Sequence, residues 1–453
     1  MDDLKNKMHQ NTIPIYFVDP CLYVALGMES YVGALHFICA VDTFNGLHPN
    51  IFVPKSFIYN YSLTSEEVVN ALLCNEEVID YIQKNGQGKL LTCMLDETTE
   101  NLAKELGLEV CLPSVALRNR WDNKANTNRL AELAGVPCVP YVLSAVQSYA
   151  HLRHLAAHLG PYLVVQMPHG FGGETTFFIS NESDFEKYQN HLTNGEEMKI
   201  MTRIDCVSTG IEGCITRYGI ATSPLLLELT GIPELNTYPG GWSGNELFCE
   251  AFPESMRLLA QNYTIKMGEQ LRQVGYKGYF EIDFLIDKAT HTLYLGEMNL
   301  RFCGFTHMTA HASHLQGEPP LFLLHLAEWL DISYDLDIEK LNHRWMTPSP
   351  NYALSFLCVH HVLDTLRKPI PSGIYRMNPD ETVVFVRPAT SPSPLNVDEI
   401  FWFSVAPNTL LLKKGEEIGG LLMFGRATTD GKNLTSKMKT WIKGLTKIGS
   451  DEE

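Results

Sequence analysis

The chain is 453 residues long, 45% apolar and 19% charged, with a formal net charge of −17. At roughly 150 residues per domain this length suggests about three domains, and the composition is that of a globular protein with ample core rather than a disordered one. So acidic a chain lacks the basic face that nucleic acid or an anionic membrane requires, and neither is expected as a partner.

Eleven cysteines are scattered from Cys21 to Cys358 with no C-x-x-C pair. They read as reduced, mostly buried thiols rather than a disulfide framework or a zinc knuckle. The opening MDDLKNKMHQNTIP lacks the apolar centre of a signal peptide. No apolar run reaches the roughly 20 residues of a membrane span. A soluble, cytoplasmic protein is the expectation.

Residues 12–120 alternate short apolar runs with helical patterns. IPIYFVD and HFICAVD each end in Asp, and GKLLTCML, DETTENLAKELG and LEVCLPS form a strand–helix–strand unit with Gly107 stopping the helix. Such alternation predicts an open, mostly parallel sheet. No G-x-G-x-x-G follows its first strand, so no dinucleotide is assigned. In WDNKANTNRLAELAGVPCVPY, Asn123 or Asp122 caps a helix that runs to about Ala134 and is closed by Gly135 before Pro137. PYLVVQMPHGFGGETTFFIS reads as strand, glycine loop and strand. Gly170, Gly172 and Gly173 would let bare backbone N–H groups approach phosphate oxygens. KIMTRI is a further strand, and Asn236–Phe248, rich in Gly, Ser, Pro and Asn, reads as a surface loop or a lid. ESMRLLAQNYTIKMGEQLRQVGY has helical spacing and ends at Gly275.

The segment GYKGYFEIDFLIDKATHTLYLGEMNLRFCGF, residues 275–305, carries the chemistry. FEIDFLID and TLYLGEMNL are apolar strands with acids set into them, and an unpaired carboxylate away from water is costly. Alternation puts Glu297, Asn299 and Arg301 on one face, with Asp283 opposite on the neighbouring strand and Glu281 one pleat away. Two carboxylates, an amide and an arginine facing one point suit Mg²⁺ that is also held by phosphates. A plain hairpin with a Glu297–Arg301 ion pair would leave Asp283 and Asn299 unexplained. Further on, His307 and His311 have the i, i+4 spacing of a metal pair, but a third ligand is lacking. From about residue 345 the pattern turns to strands (YALSFLCVHHV, GIYRM, TVVFVRPA, EIFWFSV, TLLLKK, GGLLMFGRA) and closes on a helix.

An acid on one strand followed by E-x-N-x-R on the next resembles the metal-binding end of the ATP-grasp superfamily. The resemblance covers roughly residues 85–320 well and both ends loosely. It implies an α/β (α+β) ATP-grasp fold in three parts: an N-terminal Rossmann-like domain over 1–120, a nucleotide- and metal-binding domain over 121–344, and a small β-rich C-terminal lobe over 345–453. ATP and Mg²⁺, with Mn²⁺ as an alternative, are the implied cofactors. Asp283, Glu297 and Asn299 would hold the metal. Arg301 would act on the acyl phosphate and the oxyanion that follows it. Lys124, Gln166 and the glycines Gly170, Gly172 and Gly173 would meet the phosphates. Many members carry lysine where this chain has Gln166 in VVQMP, so either Lys199 or Arg203 supplies the missing charge or ATP is bound more weakly than usual. The implied reaction activates a carboxylate with ATP and joins it to an amine. Arg301-Phe302-Cys303-Gly304 is nearer the N-x-R-x-x-G of amino-acid and peptide ligases than the Gln-Val-Glu of biotin carboxylases. Small-molecule substrates and a homodimer are expected. Activation of bicarbonate and a non-catalytic nucleotide-binding module stay open as alternatives.

Overall fold

The computed structural model describes residues 2–60, 62–170, 175–238, 240–346, 352–364, 368–392, 394–406 and 411–448. The described residues form three sheets. The first contains β1 (Ile15–Asp19), β2 (Leu35–Cys39), β3 (Ile51–Phe52), β4 (Lys89–Leu91) and β5 (Glu109–Val110), in the order β3-β2-β1-β4-β5. Every pairing in it is parallel. All five residues of β1 are buried, as expected of a central strand covered on both faces. The helix Glu97–Glu105 between β4 and β5 is capped by Asp96, and Gly107 turns the chain at φ +69°.

The second sheet is antiparallel and small: β6 (Tyr141–Ser144), β7 (Leu163–Gln166), β8 (Thr176–Ile179) and β9 (Met198–Thr202), in the order β6-β9-β7-β8. It has its own core around Leu163, Val165, Phe177 and Ile200.

The third sheet has 11 strands. Its first half holds β10 (Cys206–Thr216), β11 (Gly219–Thr222), β12 (Leu226–Thr230), β13 (Trp242–Phe248), β14 (Gly278–Asp287) and β15 (Leu293–Asn299). The second half holds β16 (Ala353–His360), β17 (Gly373–Met377), β18 (Val383–Arg387), β19 (Glu399–Ser404) and β20 (Glu417–Phe424). The order is β15-β14-β10-β12-β13-β16-β20-β19-β17-β18, with β11 on β10. The strands past residue 345 therefore extend the sheet that carries the acidic strands, joined to it where β13 pairs with β16. Part of the TLLLKK run lies outside the described residues.

One expectation is corrected here. Trp242–Phe248, read as the second half of a loop or lid, is a buried strand between β12 and β13's other neighbour, β16. Its glycine misled the reading. Gly244 sits at φ +130°, and a Cβ there would lie 2.0 Å from the Phe356 carbonyl oxygen, so the residue marks close backbone approach rather than a turn. The expected helix is Glu254–Gln273; it packs on the large sheet through Gly268, where a Cβ would meet Ile220 and Phe280. No described helix is long and apolar enough to cross a membrane.

Candidate active site

The acidic strands pair as their alternation requires. Glu281 lies opposite Asn299 and Asp283 opposite Glu297, on one face of the β14–β15 ladder. Just past that pair the register slips, because Gly296 is an extra residue on β15. A Cβ on Gly296 would stand 3.0 Å from the Asp283 carbonyl oxygen, so glycine suits the slip. The Asn299 amide donates to Glu281 Oε2 at 2.6 Å and to Asp283 Oδ2 at 3.4 Å. It thus bridges two acids that also bond each other.

A fourth acid joins them that sequence reasoning missed. β10 pairs with β14 so that Gly210 faces Asp283, and Leu226 of β12 faces Gly210. Glu228, two residues on, shares that face. Its signal was legible in principle, a lone acid in the apolar run LLELT. The four carboxylates resist sharing one charge-rich space. Desolvation and then Asp283 and Glu297 push Glu228 well above the usual carboxylate range. Desolvation and then Asp283 do the same to Glu281. Asp283 is pushed up to about 7, by desolvation and then by Glu297. A set of hard oxygen donors that raise one another's pKa is what a divalent cation stabilises, so the residues present fit Mg²⁺.

Two cations flank the cluster. The helix Lys124–Ala134 is capped by Asn123, whose side chain accepts from the N–H groups of Ala125 and Asn126. Its first residue, Lys124, is buried, and its ammonium meets Glu297 Oε2 at 3.2 Å and the Gly170 carbonyl at 3.2 Å. Lys124 thus ties the start of the glycine loop to a candidate metal ligand. Gly170 itself sits at φ +144° against Thr175, where no Cβ fits. Gly172 and Gly173 lie outside the described residues. On the other side, Arg301 donates to Asp122 Oδ2 at 3.2 Å. Burial works against its charge, but Asp122, Glu297 and Glu281 outweigh this and hold its pKa above the ordinary value. Asp122, offered by the sequence as a helix cap, serves instead as the partner of Arg301.

Gln166 and Lys199 are directly opposed on β7 and β9. Gln166 donates to Thr176 Oγ1 at 3.2 Å, while its Oε1 is buried with no partner among the described residues. Lys199 is 1% exposed and donates to the Gly296 carbonyl at 2.9 Å, so its ammonium supports the slipped register of β15. Burial pushes its pKa down to about 8, against the pull of Cys138 and Glu297. Arg203 is elsewhere. It follows the far end of β9, bonds backbone to backbone with Tyr162, and stacks its guanidinium 5.0 Å from the exposed Phe178 ring. Of the two cations expected to compensate for Gln166, Lys199 is the one beside it.

Asp19 ends β1, at the carboxyl edge where open parallel sheets receive ligands. Burial pushes its carboxyl up to about 8, and Oδ1 has no partner among the described residues. The Cys93 thiol lies within electrostatic reach of both Asp19 and Arg301. A cleft of about 500 Å³ lined by Lys89, Arg217, Lys277 and Asp331 lies at the opposite, amino edge of β4 and takes no part in this arrangement.

No protein-family model matches the chain. Among curated proteins it is 25% identical over 208 residues to a [butirosin acyl-carrier protein]–L-glutamate ligase of Niallia circulans, covering 44% of this chain. The chain spans about half (48%) of that relative's length. Among solved structures it superposes on a biotin carboxylase–β,γ-ATP complex from Campylobacter jejuni with a TM-score of 0.64 at 15% identity, over 91% of this chain and 87% of the other. It superposes equally broadly on the ATP complex of carboxyaminoimidazole ribonucleotide synthase from Aspergillus clavatus, with a TM-score of 0.59 at 12% identity over 96% and 98% of the two chains. The parallel leading sheet, the small antiparallel sheet and the long antiparallel sheet of this chain make up the ATP-grasp fold in a biotin-carboxylase-like layout.

Proposed function

We propose that the protein is an ATP-dependent carboxylate–amine ligase releasing ADP and phosphate. The observation that carries this reading is the cluster of Asp283, Glu297 and Asn299 with Glu228 and Glu281 behind it, flanked by Lys124 and Arg301. Asp283, Glu297 and Asn299 would hold Mg²⁺. When bound, the metal neutralises phosphate oxygens and the charge that builds on the transferred phosphoryl group.

The remaining steps fall to side chains. Lys124 gives a positive charge to the phosphates at the base of the glycine loop. Gln166 offers hydrogen bonds there but no charge. The substrate carboxylate takes the γ-phosphoryl group, becoming an acyl phosphate with loss of ADP. Arg301 exchanges its bond to Asp122 for one to that acyl group, and its planar fork then stabilises the oxyanion formed when the amine attacks. Collapse expels phosphate, and the amine nitrogen loses its proton. Asp19, its carboxyl pushed up to about 8 by burial, would stand at the carboxyl edge of the leading sheet as a further polar group.

An amino acid or small peptide as the activated carboxylate is supported by the partial relative, whose name specifies L-glutamate. A second reading, bicarbonate as the activated carboxylate, is favoured by the fuller structural coverage of the biotin carboxylase. Phosphate release from ATP and Mg²⁺, measured against amino acids singly and in pairs and against bicarbonate with candidate amines, separates them. Pair-dependent release with a product one water lighter than its two substrates supports the first. Release that requires bicarbonate supports the second. ATP binding with no release in any pool overturns both.

A further inference from the structure

A second cluster of ligating side chains lies outside the acidic site, on the β16–β20 ladder. Cys358 and His360 are two residues apart on β16 and so share a face. Across from them the register of β20 slips at Ile418, so His360 pairs with Glu417 rather than with that isoleucine. The slip aims the Glu417 carboxylate onto the face of Cys358 and His360 while Ile418 goes into the core. Gly419 and Gly420 lie opposite Val359 and Cys358, where the Trp402, Phe403 and Phe356 side chains close over the backbone and leave no room for a Cβ. One ligand atom from each of Cys358, His360 and Glu417 lies within 4.8 Å of the other two.

Two details point to a ligand rather than to ordinary packing. The Nδ1 of His360 lies 3.2 Å from the Leu235 carbonyl, which can only accept. Nδ1 therefore carries the proton and Nε2 the lone pair, the arrangement in which a carbonyl behind the ring orients a metal-binding imidazole. The Glu417 carboxylate bonds the Cys358 thiol, yet its Oε1 is enclosed with no hydrogen-bond partner among the described residues, an expensive state for a carboxylate unless a cation or proton compensates it.

We propose that Cys358, His360 and Glu417 bind one zinc-class divalent cation, leaving a fourth position for water or a substrate atom. Zinc–ligand bonds of about 2.0–2.3 Å put tetrahedral ligand atoms roughly 3.5 Å apart, so side-chain rotations of under about 1 Å each close the set. A thiolate and an imidazole also separate this site chemically from the acidic one, whose hard oxygen donors suit Mg²⁺. Tyr23 of the leading domain lies within electrostatic reach of Cys358 and Glu417, and its ring packs on His307 at 5.2 Å and on Phe403 at 5.3 Å. The cation would thus stand in the wall that joins the C-terminal strands to the leading sheet. Nothing in this assignment depends on the ligase reading.

The test uses the full chain, stripped with a chelator and titrated with Co²⁺ alone in the presence of excess Mg²⁺. One equivalent should produce a thiolate-to-cobalt charge-transfer band together with the visible bands of tetrahedral Co²⁺, and Zn²⁺ should displace both. Cys358→Ser should lose the charge-transfer band, and Glu417→Gln should keep it with about tenfold weaker binding or worse. Absence of the band in the wild type overturns the proposal, as does its persistence in Cys358→Ser, which would place the metal on another cysteine. If Cys358→Ser fails to fold, Glu417→Gln and His360→Gln decide: unchanged Co²⁺ affinity in both overturns the site.

Discussion

Two acids on the large sheet, a few strands apart, are treated in opposite ways. Glu246 on β13 is fully buried, and its carboxylate accepts from the N–H groups of Ala427 (2.6 Å) and Thr428 (2.8 Å), the Thr428 hydroxyl (2.6 Å) and the Ser355 hydroxyl (3.2 Å). Glu281 on β14 is just as buried, yet it takes the Asn299 amide at 2.6 Å and otherwise faces another acid, Asp283. Glu246 is complete in the folded chain and fastens the turn after β20 to β13. The Asp283 cluster holds acids that push one another's carboxyls up, with few donors to offset them. A buried acid saturated with donors is architecture, whereas buried acids left to repel one another mark a place built for something else.

The contrast can be broken from either side. Glu297→Gln should cut ATP turnover about a thousandfold, the several kcal/mol that metal-centred charge stabilisation supplies. Its thermal midpoint should change little, because the loss of one repelling charge is offset by the loss of the Lys124 ion pair. Phosphate release and a melting curve together check this, and unchanged turnover would remove Glu297 from the metal site. Glu246→Ala should do the reverse: a loss of about 3 kcal/mol in denaturant unfolding, from stranded backbone N–H groups, with turnover per folded molecule retained.

Lys199 sharpens the comparison through pH. Its folded pKa is depressed from 10.5 to about 8 by burial. Between those values the unfolded chain binds a proton that the folded chain does not, so this group adds stability as pH rises from 8 towards 10.5. That contribution is lost as pH falls through about 8, where the charge must be buried. The linkage amounts to about 3 kcal/mol over the window. Unfolding measured across it in wild type and Lys199→Met should show the upward slope only in the wild type. The smallest effect is expected at Gln166→Lys, which should tighten ATP binding by about tenfold at most, roughly 1.4 kcal/mol. An unchanged dissociation constant would place position 166 away from the phosphates.

Local signals carried much of this arrangement. Acids at alternate positions in two apolar strands gave the Asp283–Glu297 and Glu281–Asn299 pairs, and Asn123 with Gly135 bounded the helix that presents Lys124. The strand–helix alternation of residues 12–120 gave the parallel sheet. What stayed hidden depends on pairing between distant segments. Glu228 reaches the cluster only because β12 lies against β10 in one register. The Lys199–Gly296 bond spans 97 residues and the Arg301–Asp122 bond 179. Trp242–Phe248 looked like a loop because glycine has no local mark that separates a turn from two backbones in close contact. The strands past residue 345 were visible one by one, but their continuity with β13 was not.

That continuity limits how the molecule can move. From β15 to β18 the large sheet is one unbroken ladder of backbone hydrogen bonds, so bending between its two ends would cost paired bonds at every strand. The small sheet meets the large one without a shared ladder: Val164 and Met201 pack toward Leu285 and Tyr294, and the Cys138–Leu295 bridge, the Lys199–Gly296 bond and Lys124 between Gly170 and Glu297 add to that contact. As a mechanism, then, the protein is an anvil with a light hammer. The acids stand on the stiff part, and parting the two sheets would break side-chain packing and single bonds rather than a ladder.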